Sequence, residues 1–278
     1  MKNLLSLTEK SKTEINRITE VAASMRRSVF QSFKKSPQLI GMAVGGVWEK
    51  PCASSTAFSL ATTYLSGSMV PVFGADDPFE QCNLLDNMGA NAVVVSCEND
   101  NLAKSFATRS VCSVINGGSG QYDPVGVLAD LMAISMKCDG LQNLTVLAVG
   151  NRDTNKVNEL IKVLEMYNSS LLWYLPQDDF VTQRKGIVID KAEAAFHGAD
   201  AVIDLGLSAF SDPVKYYGSS GGITENLMDL ARINCPLLGC RTFVDKSGVR
   251  EYPNNIVNIR ESCYVAAAMA SLYLTMKD

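Results

Sequence analysis

Trp48-Glu49-Lys50-Pro51-Cys52-Ala53-Ser54-Ser55-Thr56-Ala57-Phe58-Ser59-Leu60-Ala61 follows an apolar run, Leu39 to Val47, and opens a helical pattern that continues to about Leu65. A buried strand, a turn of small polar residues and then a helix present unpaired backbone N–H groups at the positive end of a helix dipole. Ser54, Ser55 and Thr56 bring hydroxyls to that place. Two readings stand at this point: the hydroxyls help to hold an anion, or one of them simply caps the helix.

The same alternation extends in both directions. Upstream, Ile15, Ile18, Val21, Ala22 and Met25 recur at helical spacing within a helix expected from Thr8 to about Lys35, with Ser11 or Thr13 as its cap. Downstream, strands are expected at Met69–Phe73, Asn91–Cys97 and Val111–Ile115, with helices at Asp77–Met88 and Asn99–Thr108. Asp123-Pro124 starts a helix that runs to Lys137, aspartate as cap and proline in the first position. Further strands are expected at Leu144–Val149, Ser170–Leu175, Ile187–Ile189, Ala201–Leu205 and Asn255–Asn258. The intervening helices are Asp153–Tyr167 and Lys191–Phe196, and a final alanine-rich helix covers Glu261–Met276. Continuously apolar strands such as Asn91–Cys97, separated by helices, imply an α/β fold with doubly wound parallel sheets.

Composition narrows the function. A chain of 278 residues is long for one core and natural for two domains. A net charge of −4, with no basic arm, argues against nucleic acid as the main partner. No run of about 18 apolar residues is present to span a membrane, and the apolar start Leu4-Leu5 is too short for a signal peptide. The eight cysteines, at 52, 82, 97, 112, 138, 235, 240 and 263, form no C-x-x-C pair. Several sit in apolar runs, the habit of reduced thiols in a cytoplasmic protein. No metal-ligand spacing and no Gly-x-Gly-x-x-Gly fingerprint is present, so neither a metal nor a dinucleotide cofactor is expected. Trp48 and Trp173 are expected in the core, and Asp76-Asp77 as the cap of the helix that starts at Pro78. The one histidine, His197, is expected at a solvent-facing helix end, far along the chain from Cys240 and so a poor base for a cysteine nucleophile.

Glu49-Lys50-Pro51, with the small polar run and Phe58-Ser59-Leu60-Ala61 behind it, resembles the carbamoyl-phosphate loop of the aspartate and ornithine transcarbamylases. Leu5-Ser6-Leu7-Thr8 resembles that family's opening phrase. Asn116-Gly117, Pro124 and Leu128-Ala129-Asp130 keep the frame of its "Ile-Asn-Gly … His-Pro-x-Gln-x-Leu-Ala-Asp" phrase, and Gly198-Ala199-Asp200-Ala201-Val202 is similar to its entry into a later strand. The resemblance runs from about Leu5 to about Met276. It implies a first domain at 1–135 of the carbamoyl-phosphate-binding type, with helix 259–278 packing back on it, and a second at 136–258 of the amino-acid-binding type.

The resemblance also shows departures. The family's loop arginines fall on Ser54 and Thr56 if the alignment starts at Lys50-Pro51, and on Ala53 and Ser55 if it starts at Phe58. Neither register supplies a cation. The histidine and glutamine that touch the carbamoyl group correspond to Asp123 and Gly126, and a later arginine falls near Cys263. Ser208 alone matches the "Ser-Met-Gly" loop, and Cys240 matches "His-Cys-Leu-Pro", with Arg241 beside it. The candidate ligand-binding residues are therefore Ser54, Ser55, Thr56, Asp123, Gly126, Ser208, Cys240 and Arg241, with no residue assigned a catalytic role. A carboxylate at 123 repels a phosphate unless a cation compensates. The resemblance implies a homotrimer, or a mixed trimer with an active paralogue. The expected function is a transcarbamylase-like structural or regulatory subunit without carbamoyltransferase activity. The alternative is a divergent transferase that uses a cleft between domains for a different small-molecule substrate.

Overall fold

The computed structural model describes residues 1–31, 36–176, 186–208, 211–217, 222–239, 243–245, 248–249 and 252–277, with 243–245 and 248–249 described by backbone alone. Contacts divide the chain into two units, Met1–Met132 with Glu261–Asp278, and Ala133–Arg260.

The first unit opens with α1, Lys12–Val29. Of the two expected caps, Ser11 is the one used. Its hydroxyl accepts the Glu14 N–H and the Glu14 carboxylate accepts the Ser11 N–H, a reciprocal box that starts the helix at Lys12, four residues after the expected Thr8. The apolar run at 39–47 divides: Pro37–Leu39 makes a 3-10 turn, and β1 begins only at Ala43 and ends at Trp48. There follow α2 (Ala53–Tyr64), β2 (Ser68–Phe73), α3 (Pro78–Asn87), β3 (Ala92–Ser96), α4 (Asp100–Ala107), β4 (Ser113–Asn116) and α5 (Pro124–Lys137). The strands form a parallel sheet in the order β2-β1-β3-β4. Helices α3 and α4 pack Cys82, Leu85, Leu102, Ala103 and Phe106 against Val47, Val93, Val95 and Val114. The β4 edge is extended by the N-terminal segment: the Leu4 N–H donates to Val114 O and the Asn116 N–H to Leu4 O.

The second unit holds β5 (Thr145–Gly150), α6 (Val157–Glu165), β6 (Ser170–Tyr174), β7 (Ile187–Ile189), α7 (Ala192–Phe196), β8 (Ala201–Gly206), α8 (Pro213–Tyr217), β9 (Ile223–Thr224), α9 (Glu225–Met228), β10 (Leu237–Leu238), β11 (Phe243–Asp245) and β12 (Gly248–Val249). Its parallel sheet runs β10-β8-β5-β6-β7, with a small sheet β12-β11-β9 beside it. The strand expected at 255–258 is absent. Asn255 makes one isolated bridge to Leu237, its side chain accepts the Val257 N–H in a local turn, and α10 (Val257–Met276) already begins there. The terminal helix is assigned to the first unit from Glu261 onward, and Ser113 Oγ donates to Thr275 O within that unit.

Both sheets are α/β and doubly wound, and in each the chain reverses direction of growth beside its first strand: between β1 and β3 in one, between β5 and β8 in the other. The crevice outside the carboxyl ends of strands at such a reversal is where open parallel sheets bind ligands.

Candidate functional site

At the first reversal, β1 ends on Trp48 and the chain turns through Glu49 to Cys52 into α2. Trp48 folds back over its own strand. A Cβ on Gly46 would lie 2.0 Å from the indole ring, so glycine is needed to seat it. The ring lies tilted against Phe73, with centroids 5.9 Å apart. Its Nε1–H reaches Ser54 Oγ at 3.3 Å, and Ser54 is only 5% exposed. The next turn closes over this hydroxyl, because a Cβ at Gly117 would sit 2.9 Å from it. Ser55 accepts the Cys52 N–H at 3.0 Å and donates to Cys52 O, while Thr56 donates to the same carbonyl at 3.2 Å. The hydroxyls are thus turned onto the protein itself, which favours the capping reading of the two, with Cys52 at the cap position and Ser55 bonding back to its backbone. Among the described residues no acceptor meets the N–H groups of Ala53 and Ser54.

The charge around this turn is acidic. The Glu49 carboxylate accepts the Glu98 N–H at 2.8 Å and ties the turn after β1 to the turn after β3. Asp100 accepts the Gln121 N–H at 2.7 Å. Lys50 is exposed and makes no ion pair among the described residues. Asp123, 8% exposed, accepts the Gly126 N–H at 2.9 Å and caps α5. A Cβ at Gly126 would lie 1.9 Å from the Asp123 carboxylate, so the two residues are mutually dependent: a side chain at 126 excludes the cap at 123.

At the second reversal the turn after β5 wraps over the end of β8. The N–H groups of Asn151 and Arg152 both donate to Gly206 O, and that of Asp153 to Leu205 O. Gly150 (φ 106°) and Gly206 (φ 74°) permit it, for a Cβ at Gly150 would lie 2.3 Å from Gly206 O. Trp173 Nε1–H donates to Gly150 O at 2.9 Å. The Asn151 side chain accepts the Ser208 N–H at 2.8 Å and donates to Ser211 Oγ, which itself pairs with Ser208 Oγ at 2.9 Å. Ser208, chosen from sequence, is therefore part of a closed polar ring. Asn151 and Arg152 were missed. Arg152 carries the only basic charge in the turn 150–153, a signal available in the sequence. Its Nε donates to Asp153 at 3.2 Å, and that hydrogen bond and charge, with further help from Asp204 and Tyr217, raise its already high pKa.

Cys240 and Arg241 lie outside the described residues, as does the end of the helix expected to run to about Lys35. His197 is exposed at the end of α7 and Asp77 caps α3, both as expected. Burial pushes the thiols of Cys82, Cys112 and Cys235 up to about 12 and that of Cys138 to about 11. Among the described residues, no three His, Cys, Asp or Glu side chains gather as a metal site, and no helix is long and apolar enough to cross a membrane.

Residues 2–136 match the family described as "Aspartate/ornithine carbamoyltransferase, carbamoyl-P binding domain". The chain belongs to the aspartate/ornithine carbamoyltransferase family. It is 30% identical over 159 residues to the aspartate carbamoyltransferase catalytic subunit of Carboxydothermus hydrogenoformans, a match that takes in 54% of this chain and 51% of that protein. It is 24% identical over 296 residues to the corresponding subunit of Caldicellulosiruptor bescii, covering 99% of this chain and 97% of the relative. The fold agrees along its length with ornithine carbamoyltransferase from Thermus thermophilus: TM-score 0.83 at 18% identity, with 99% of each chain covered. Aspartate transcarbamoylase from Trypanosoma cruzi, in complex with carbamoyl aspartate and phosphate, gives a TM-score of 0.81 at 16% identity over 98% of this chain and 95% of the other.

Proposed function

We propose that this family member is a transcarbamylase-like protein without carbamoyltransferase activity and acts as a structural or regulatory subunit. One observation carries the reading: at the turn after β1, where the family resemblance puts phosphate-gripping arginines, this chain has hydroxyls bonded to its own backbone and indole. Attack of an amine on carbamoyl phosphate needs cations for the phosphate and donors for the carbonyl oxygen. Loss of one such donor commonly lowers the rate by about 10²–10³-fold. Here the positions matched to both loop arginines, the histidine and the glutamine all differ at once, and Asp123 brings negative charge instead. The test is turnover of carbamoyl phosphate by the purified chain with aspartate and with ornithine. Rates at the uncatalysed level are expected, and saturable turnover removes the proposal.

The word "subunit" in the relatives' names supports assembly with other chains, and the assembly proposed here is a homotrimer or a mixed trimer with an active paralogue. Light scattering on the chain alone, then co-purification with such a paralogue and assay of the mixture, separates the two. Buried neutral thiols fit a cytoplasmic setting. The second reading, a divergent transferase with an altered small-molecule substrate, is favoured by the hydrogen-bonded polar turn at Gly150–Asp153. A thermal-shift screen of metabolites tests it, and stabilisation by one compound class would favour it over a purely structural role.

A further inference from the structure

A sheet edge is a row of unpaired main-chain groups and invites another strand. The two larger sheets end on β2, β4, β7 and β10. The N-terminal segment covers β4 at Leu4. Residues 254–256 cover β10, where the Leu237 N–H donates to Asn254 O and the Ile256 N–H to Leu237 O. β7 is only Ile187–Ile189 and is followed at once by Asp190 and Lys191. β2 has none of these defences. It is a six-residue strand, Ser68-Met69-Val70-Pro71-Val72-Phe73, without charge and in unbroken register with β1. Val70 and Phe73 are 46% and 43% exposed, and no segment among the described residues pairs with its outer side.

The ladder shows which way each residue of β2 faces. The Ser68 N–H donates to Met42 O and the Gly74 N–H to Trp48 O, both on the β1 side. In the parallel register from Ala43↔Ser68 to Trp48↔Phe73, Val70 and Val72 face β1 as well, and Met69, Pro71 and Phe73 turn their main-chain groups outward. The proline therefore costs no bond within the sheet. It removes the N–H from the middle of the outward row and puts its ring there instead.

We propose that Pro71 guards this edge against the same edge of a second copy. Two β2 strands meeting antiparallel across a two-fold axis set Met69 opposite Phe73 and residue 71 opposite itself. The outer pairs can exchange hydrogen bonds. The central pair cannot, and the two rings crowd the place of the missing donors. With an apolar or hydroxyl residue at 71 instead, the segment is uncharged, β-prone and open, the pattern that propagates by strand addition. The guard does not involve carbamoyl-phosphate chemistry, so it stands apart from the reading of function above.

Pro71→Thr in the full chain restores the donor with a strand-favouring residue. Analytical ultracentrifugation over a concentration series is expected to show particles about twofold heavier than wild type or more, growing with concentration. Infrared spectra are expected to gain an intermolecular-sheet band that wild type lacks. Adding Val70→Lys, which puts a charge on the strand, is expected to return the mass to the wild-type value. Pro71→Ser supplies the same donor with a weaker strand preference and is read in the same way. Residue 71 makes no ladder bond, so both variants are expected to keep the wild-type far-UV circular dichroism. Wild-type mass at every concentration in the folded variants overturns the proposal, as does association without the infrared band or association that survives Val70→Lys. Unfolding of both Pro71→Thr and Pro71→Ser would assign the proline to formation of the strand and overturn it equally.

Discussion

The two strand-end turns of this molecule have the same topology and opposite contents. After β1, the hydroxyls of Ser55 and Thr56 fold onto Cys52, Ser54 sits under Trp48 and Gly117, and the carboxylates of Glu49 and Asp123 are spent on neighbouring amides. After β5, the backbone bonds to Gly206 O, and the Arg152 guanidinium, which packs against Gly206, stays largely exposed. The first turn draws its side chains inward and leaves the Ala53 and Ser54 N–H groups without an acceptor among the described residues; the second closes its backbone on Gly206 and leaves the Arg152 side chain 61% exposed. The same fold therefore carries one turn whose side chains are closed on itself and one whose side chain stays open to solvent, and the difference lies in a handful of side chains.

The largest expected effect comes from breaking the open turn. Gly150→Ala puts a methyl group into Gly206 O at a positive φ, and should destabilise the second unit by more than about 3 kcal/mol. Urea unfolding in a Trp48→Phe background reads this directly, since Trp173 is then the sole indole and donates to Gly150 O.

The closed turn is sharpened by the pair at 123 and 126. Gly126→Gln expels the Asp123 carboxylate from its cap and should cost about 2 kcal/mol, at the upper end for a lost cap. Asp123→His added to it removes the conflict, so the double variant should be more stable than the sum of the single changes predicts, a coupling read by a double-mutant cycle. Ser54→Ala strips the buried Trp48 Nε1–H of its acceptor and should cost about 1 kcal/mol, with a shift in Trp48 emission.

At neutral pH the smallest effect belongs to the buried thiols, whose contribution changes only in alkali. Burial raises the folded pKa of Cys82, Cys112 and Cys235 from the ordinary 9.0 to about 12. A raised folded pKa means that the contribution is complete below the unfolded value and is lost as pH rises through the folded one. Stability should accordingly decline between pH 9 and 12, and Cys82→Ala should flatten that limb in an unfolding series.

Much of this was legible in the sequence because it is local. Pro124 after Asp123, Pro78 after Asp77 and the Ser11/Glu14 pair mark helix starts by short-range chemistry, and the apolar strands mark a parallel sheet. The apolar run and the polar turn behind it also marked the strand, turn and helix around Trp48–Ala61. What the residues could not give was direction. Ser54, Ser55 and Thr56 read as donors to an anion or as caps, and only their partners, Trp48 and Cys52, decide. Arg152 went unnoticed since its use depends on Gly206, more than fifty positions later, being glycine. The false strand at 255–258 has the same origin: its apolar pattern gave no sign that Asn255 would turn its side chain onto Val257 and start a helix.

The claim that the turn after β1 has lost its anion is best tested by titrating carbamoyl phosphate into the purified chain at moderate salt, following phosphorus-31 line width. The account predicts no saturable broadening. Saturable broadening that is abolished by Ser54→Ala or Thr56→Ala, with Arg152 intact, would contradict it.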